Sequence, residues 1–180
     1  MSAAFSYHSC IPEKQLCRKR NIINSSFFLS LLFSLSFFLL LSSCEESRVF
    51  DKNISTTGDG WDYGDAKSFE VTIADLSSAY NMFINVRHTD QYPYNNIWIR
   101  VTTIYPDSTR KENRMNVQLT GPDGKWNGNC ADGICYHSVP VQQGFKFDKQ
   151  GKYTFILEQD MRINPLPYVM NVGLKIEKFM

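Results

Sequence analysis

Ile97-Trp98-Ile99-Arg100-Val101-Thr102-Thr103 sets Ile97, Ile99, Val101 and Thr103 at every second position, the pattern of a strand with one buried face. Working outward, the same period-two spacing recurs in Phe69, Val71 and Ile73, then in Tyr80, Met82, Ile84 and Val86. It returns in Met115, Val117 and Leu119, in Tyr153, Phe155 and Leu157, and in Val172, Leu174 and Ile176. At least six strands are therefore expected. No stretch carries a sustained helical period with caps, and strands this close together leave no room for the crossovers that parallel pairing requires. The reading is an all-β fold over residues 65–180, an antiparallel β-sandwich of jelly-roll type.

Turn chemistry falls between these runs. Tyr105-Pro106-Asp107-Ser108, Thr120-Gly121-Pro122-Asp123-Gly124 and Lys149-Gln150-Gly151 place Pro, Asp and Gly where the chain must reverse. The longest irregular stretch, about residues 121–143, holds Trp126, Cys130, Cys135, His137 and Pro140. A loop of that length is functional or stapled. Cys130 and Cys135 enclose Ala-Asp-Gly-Ile and could close as a disulfide across a turn at Asp132-Gly133. Two free thiols, or a metal with His137 as third ligand, are the other readings of the pair.

The segment before the sandwich is of another kind. Residues 27–41 read FFLSLLFSLSFFLLL without a charge, preceded by Lys14, Arg18, Lys19 and Arg20 and followed by Ser42, Ser43 and Cys44. A run this short suits a signal-peptide core better than a spanning helix, which needs about twenty apolar residues. Leu41-Ser42-Ser43-Cys44 resembles the bacterial lipobox. In lipoproteins that carry it, the resemblance implies, fatty acyl chains are attached at the cysteine, here Cys44, and the preceding signal, residues 1–43, is removed. Several acyl chains, at about 0.8 kcal/mol per buried methylene, make a durable anchor. Residues 44–64 are polar and contain Gly58, Gly60 and Gly64, so they are expected to be a lipidated N-terminus and tether. Arg48-Val49-Phe50 is the one part that could pair as a short edge strand.

The charge balance excludes some functions. The chain has 19 basic and 18 acidic side chains, and setting aside the four basic and one acidic of residues 1–43 leaves 15 and 17, a formal −2. Neither that balance nor any basic run interleaved with aromatics suits a nucleic-acid binder. There is no phosphate loop, no calcium-loop register and no Gly-x-Ser-x-Gly elbow. Of three histidines only His88 and His137 lie outside the leader. No catalytic residue, metal, cofactor or small-molecule substrate is expected, and the protein is read as a non-enzyme.

What stands out instead is a set of aromatic and Pro-rich turns at strand ends. Tyr92, Tyr94 and Trp126 are either partner contacts or plugs that close the ends of the sandwich. Asp160, Arg162, Pro165 and Pro167 form a further candidate contact segment. A glycan-binding surface module is the alternative to protein docking, since exposed Trp and Tyr stack on sugar rings; two coplanar aromatics in one groove would favour it.

These stretches also carry a resemblance. Arg87-His88-Thr89-Asp90 with Tyr92-Pro93-Tyr94-Asn95-Asn96-Ile97-Trp98, then Gly121-Pro122-Asp123-Gly124-Lys125-Trp126, then Glu158-Gln159-Asp160-Met161-Arg162 with Pro165-Leu166-Pro167 resemble the GldH family of gliding-motility lipoproteins of Bacteroidota. The likeness covers nearly all of residues 44–178. It implies a lipid-anchored envelope protein without enzymatic activity, whose partners are envelope proteins of the gliding or type IX secretion machinery. The Cys130–Cys135 segment is not part of the family pattern. Glu45 and Glu46 resemble signals that carry lipoproteins of this phylum to the cell surface, so an outer-membrane location is expected, on its periplasmic or its surface face. Asp107-Ser108-Thr109 resembles the O-glycosylation motif of these bacteria, with Ser108 as the acceptor.

Overall fold

The computed structural model describes residues 47–179. The signal segment and Cys44 lie outside the described residues. Eleven strands follow in order: β1 (Arg48–Ser55), β2 (Gly60–Trp61), β3 (Lys67–Ile73), β4 (Tyr80–Thr89), β5 (Asn96–Ile104), β6 (Arg110–Gln118), β7 (Asn129–Ala131), β8 (Ile134–Phe145), β9 (Gly151–Gln159), β10 (Leu166–Pro167) and β11 (Val169–Lys178). One sheet runs β1-β11-β4-β8-β7 and the other β3-β9-β5-β6, with β2 and β10 paired beside them.

Every pairing is antiparallel, and the long strands pair as nested hairpins. β5 pairs β6, β4 pairs β8, β3 pairs β9, and β1 pairs β11. The chain is thus one long hairpin folded back between β5 and β6, then rolled so that β11 meets β4 and β9 meets β5. That wiring is the jelly roll expected from the sequence.

The alternation of each strand sets the core. β3 reads buried-exposed throughout, with Phe69, Val71 and Ile73 inside. Ile97, Ile99 and Val101 of β5 meet Tyr153, Phe155 and Leu157 of β9 on one inner face, and Ile84, Val86, Val172, Leu174 and Ile176 line the other. All six sets of alternating residues named above are core positions, except that Thr103 and Met115 are half-buried.

Two expectations are corrected. The edge strand allowed for at Arg48-Val49-Phe50 forms and runs on to Ser55, so residues 48–55 are not a tether: they make β1, paired with β11 from Arg48↔Glu177 to Ser55↔Asn171. Lys52 interrupts the apolar alternation, leaving only Phe50 and Ile54 turned toward the core, so the strand reads as polar sequence. Charges suit it as an exposed edge. In the same stretch, Trp61 is wholly buried, its Nε1–H donating to the Asp65 carbonyl at 2.8 Å. Gly60 lets it in, because a Cβ there would stand 2.3 Å from the Leu166 carbonyl oxygen of β10.

The second correction concerns residues 121–143, expected to be irregular. They contain β7 and most of β8, a strand of twelve residues. Its inward positions begin with Cys135 and His137 rather than aliphatics, and Pro140 stands in the middle. Past Tyr136, β8 has a partner on one side only among the described residues, the edge position at which a strand tolerates proline.

Candidate functional site

The segment after β9 builds a groove of about 650 Å³, lined by Tyr94, Asn96, Trp98 and Arg114 on one side and by residues 160–163 on the other. Its base is a solution to a charge conflict. Arg100 of β5 and Arg114 of β6 are direct cross-strand partners, an arrangement that repels. Asp160 reaches across from the end of β9 and accepts hydrogen bonds from both: Arg100 Nη2 at 2.8 Å to Oδ1, and Arg114 Nε to Oδ2. The hydrogen bond from Arg114 is the main reason that the Asp160 carboxyl stays below the usual carboxylate range, with the Arg100 charge assisting against partial burial. Glu112 completes the set, 3.4 Å from Arg100 Nε.

Arg114 also covers an aromatic face. Its guanidinium carbon lies 4.2 Å from the centroid of the Trp98 ring. On the backbone the Asp160 N–H donates to the Trp98 carbonyl at 2.8 Å, and the Trp98 N–H points at Met161 Sδ at 3.2 Å. The loop is held from behind by the buried Gln159, which accepts from the Met161 N–H and donates to the Ile163 carbonyl. Tyr63 donates to the Met161 carbonyl at 2.6 Å, and Asn164 accepts from the Tyr63 N–H at 2.8 Å. Ile163 is left 41% exposed on this fixed loop, with Arg162 exposed beside it.

Of the residues singled out in the sequence, the structure therefore brings Tyr94, Asp160 and Arg162 together. Pro165 follows on the exposed loop after a cis Asn164–Pro165 bond, and Pro167 is half-buried in β10 opposite Gly60. Tyr92 and Trp126 do not join them. Tyr92 is 3% exposed and packs edge-on to Tyr94 at 5.6 Å, while half-buried Trp126 packs on His88 at 4.6 Å. These two are plugs of the sandwich end. Trp98 and Arg114 were not singled out. The available signal was an aromatic at an outward position of β5, between the inward Ile97 and Ile99.

Beneath the plug lies the second polar cluster. His88 and His137 are both buried, with Nε2 atoms 3.0 Å apart. His88 Nδ1 lies 2.6 Å from the Thr89 carbonyl, so it carries the proton there, and His88 Nε2 accepts from His137 Nε2–H. His137 Nδ1 is buried without a partner. Burial holds both imidazoles below their ordinary pKa, His137 at about 4, with the neighbouring His88 adding to the effect. Cys135 Sγ lies within 4.8 Å of the two ring nitrogens, so the three could offer ligands to a metal. As folded they do not offer an open set. Cys130 and Cys135 are joined in a disulfide across the β7–β8 hairpin, and the histidine nitrogens bond each other. The disulfide spans the turn expected at Asp132-Gly133, both residues with positive φ as a two-residue hairpin turn demands. Neither imidazole hydrogen-bonds a carboxylate.

Ser108 is exposed in the turn between β5 and β6, at φ 66°. Asp107 accepts from the Thr109 hydroxyl at 2.6 Å, leaving the Ser108 side chain at the tip.

Comparison with known proteins places this architecture. The family pattern described as GldH lipoprotein matches residues 48–176. The gliding motility lipoprotein GldH of Flavobacterium johnsoniae is 29% identical over 147 residues, covering 78% of this chain and 91% of that protein. A gliding motility lipoprotein GldH homolog of Christiangramia forsetii is also 29% identical over 147 residues, covering 78% of this chain and 90% of that protein. Among solved structures, a carbohydrate-binding module specific for non-crystalline cellulose overlaps 71% of this chain and 73% of its own, at 9% identity and a TM-score of 0.40, too low to bear on ligands. The chain belongs to the GldH lipoprotein family and is a lipid-anchored protein of the cell envelope.

Proposed function

We propose that the protein is a non-catalytic accessory component of the gliding-motility or type IX secretion machinery, anchored through acylated Cys44 in the outer membrane, and that it acts by docking a protein partner in the Trp98–Asp160 groove. The observation that carries the docking site is the pairing of a fixed loop with an exposed anchor: Ile163, Met161 and Tyr94 are apolar, and Arg114 and Arg162 flank them. Aromatic residues, Met and Arg are the side chains enriched at protein contacts. The lining carries two arginines against the single carboxylate of Asp160, which favours a partner segment with apolar side chains flanked by acids.

Sugar binding has less support. It needs a free aromatic face, and the Trp98 ring is already covered by Arg114. The relatives are named as lipoproteins rather than enzymes, which accords with a binding role.

A photo-crosslinking amino acid at Ile163, in cells of the native organism, is expected to trap one gliding or secretion component. Arg162→Glu, at an exposed side chain that makes none of the contacts holding the loop, should reduce the yield several-fold while circular dichroism and the thermal midpoint of the purified domain stay near wild type. An unchanged crosslink in that folded variant, or retention of the domain on an envelope glycan column, would refute docking of a protein in the groove.

A further inference from the structure

The folded body begins only three residues after Cys44. The Ser47 carbonyl accepts a hydrogen bond from the Lys178 N–H at 2.7 Å, and Arg48 pairs with Glu177 at the edge of the sheet. Glu45 and Glu46 alone separate that fixed point from the cysteine. Three Cα-to-Cα steps reach at most about 11 Å even when fully extended.

Strand register shows which parts share this end. Tyr80 at the start of β4 pairs both Lys178 and Phe145, Ile73 at the end of β3 pairs Gly151, and Ile104 at the end of β5 pairs Arg110. The far ends of these strands carry Tyr94 and the loop at 160–163, which line the groove. Strands of nine or ten residues at about 3.3 Å per residue put roughly 30 Å between the two ends.

We infer that the end of the domain bearing Ser47, Arg48, Lys178 and Phe179 rests against the lipid headgroups of the membrane that holds Cys44, and that the groove is presented on the opposite, membrane-distal end. The inference rests on the proposed acylation of Cys44. The surface at this end suits the headgroup layer. Phe179 is 54% exposed, with its N–H bonded to the Ala79 carbonyl at 2.8 Å, and the Arg48 side chain is 65% exposed. An aromatic ring beside long cationic side chains is the combination that sits where apolar and aqueous layers meet. Of the acids here Asp75 is paired with Lys178, Asp107 with Lys149 and Asp51 with Arg48, while exposed Asp148 has no ion pair among the described residues. Seating therefore comes from the short leash and requires no anionic lipid.

The test uses the mature acylated protein in phosphatidylcholine vesicles that carry a headgroup-linked energy acceptor. A donor dye on Ser77→Cys, in the exposed loop between β3 and β4, should be quenched several-fold more than the same dye on Ile163→Cys. Inserting twelve Gly/Ser residues between Glu46 and Ser47 should bring the Ser77→Cys signal down toward that of Ile163→Cys. Equal quenching at the two positions, in protein whose N-terminal peptide carries acyl chains by mass spectrometry, would overturn the orientation alone. An N-terminal peptide without acyl chains would overturn the anchoring on which it rests.

Discussion

His88 and His137 share one hydrogen bond in a buried site, and that arrangement makes stability depend on pH. In the unfolded chain each imidazole titrates near 6.5; in the fold both are held lower, His137 at about 4. Between those values the unfolded chain binds more protons, so stability is full above pH 6.5 and falls as the pH drops toward 4. For His137 the loss is on the order of 3 kcal/mol across that window. Urea midpoints measured from pH 7.5 to 4.5 should show this decline, and the double variant His88→Gln, His137→Gln should flatten most of it. An unchanged slope in that variant would place the titrating groups elsewhere. In the sequence the two histidines are visible only as isolated residues 49 positions apart; their meeting follows from the β4–β8 register, which sets Val86 opposite His137 and His88 opposite Cys135.

At the scale of elements, the strands that could be read in the sequence are those with one face buried and one wet, because burial forces the period of two. β3, β4, β5, β9 and β11 are of that kind, and β6 is so only at its end, through Met115 and Val117. β1 was legible only at Arg48-Val49-Phe50, and β8 was hidden, for separate reasons: a mostly solvated edge needs few apolar residues, and an inward row that includes Cys and His does not look like core. The groove was half legible. Asp160, Arg162 and Tyr94 announce themselves as residues of Pro-rich and aromatic turns, whereas Arg114 enters only through its pairing with Arg100. The β7–β8 hairpin has a turn suited to its task in Asp132-Gly133, so the disulfide reinforces a connection that already closes. Cys130→Ser with Cys135→Ala is expected to lower unfolding free energy by about 2 kcal/mol in chemical denaturation. A loss below about 0.5 kcal/mol would mean that the turn alone fixes the hairpin.

For the whole molecule, the correction at the N-terminus matters most. Residues expected to hold the domain away from the bilayer are part of the domain, so a protein truncated to begin at Thr56 should not behave as a released body. It would lose β1 and bare the edge of β11, including the backbone groups of Leu174 and Ile176. We expect that product to aggregate or lose its cooperative melt in size-exclusion chromatography and calorimetry, whereas a chain beginning at Ser47 should remain monomeric and folded. Were Ser108 to carry the glycan that its sequence motif resembles a site for, the same geometry would bear on it. That turn lies at the end near Ser47, where a sugar would have to share a gap of roughly 11 Å with the headgroups.

The nested wiring also governs how the chain can fold after export. Among the described residues β1 pairs only with β11, and β3 and β4 each wait for strands from the second half of the sequence. Pairings so distant along the chain form slowly, because the entropy of closing long loops is spent before contacts repay it. A polypeptide crossing a membrane from its amino end therefore cannot fold as it emerges. It must stay open to chaperones and proteases until its last ten strand residues, Val169–Lys178, have come through, so a stop codon or cleavage just before them would cost the entire body rather than one edge.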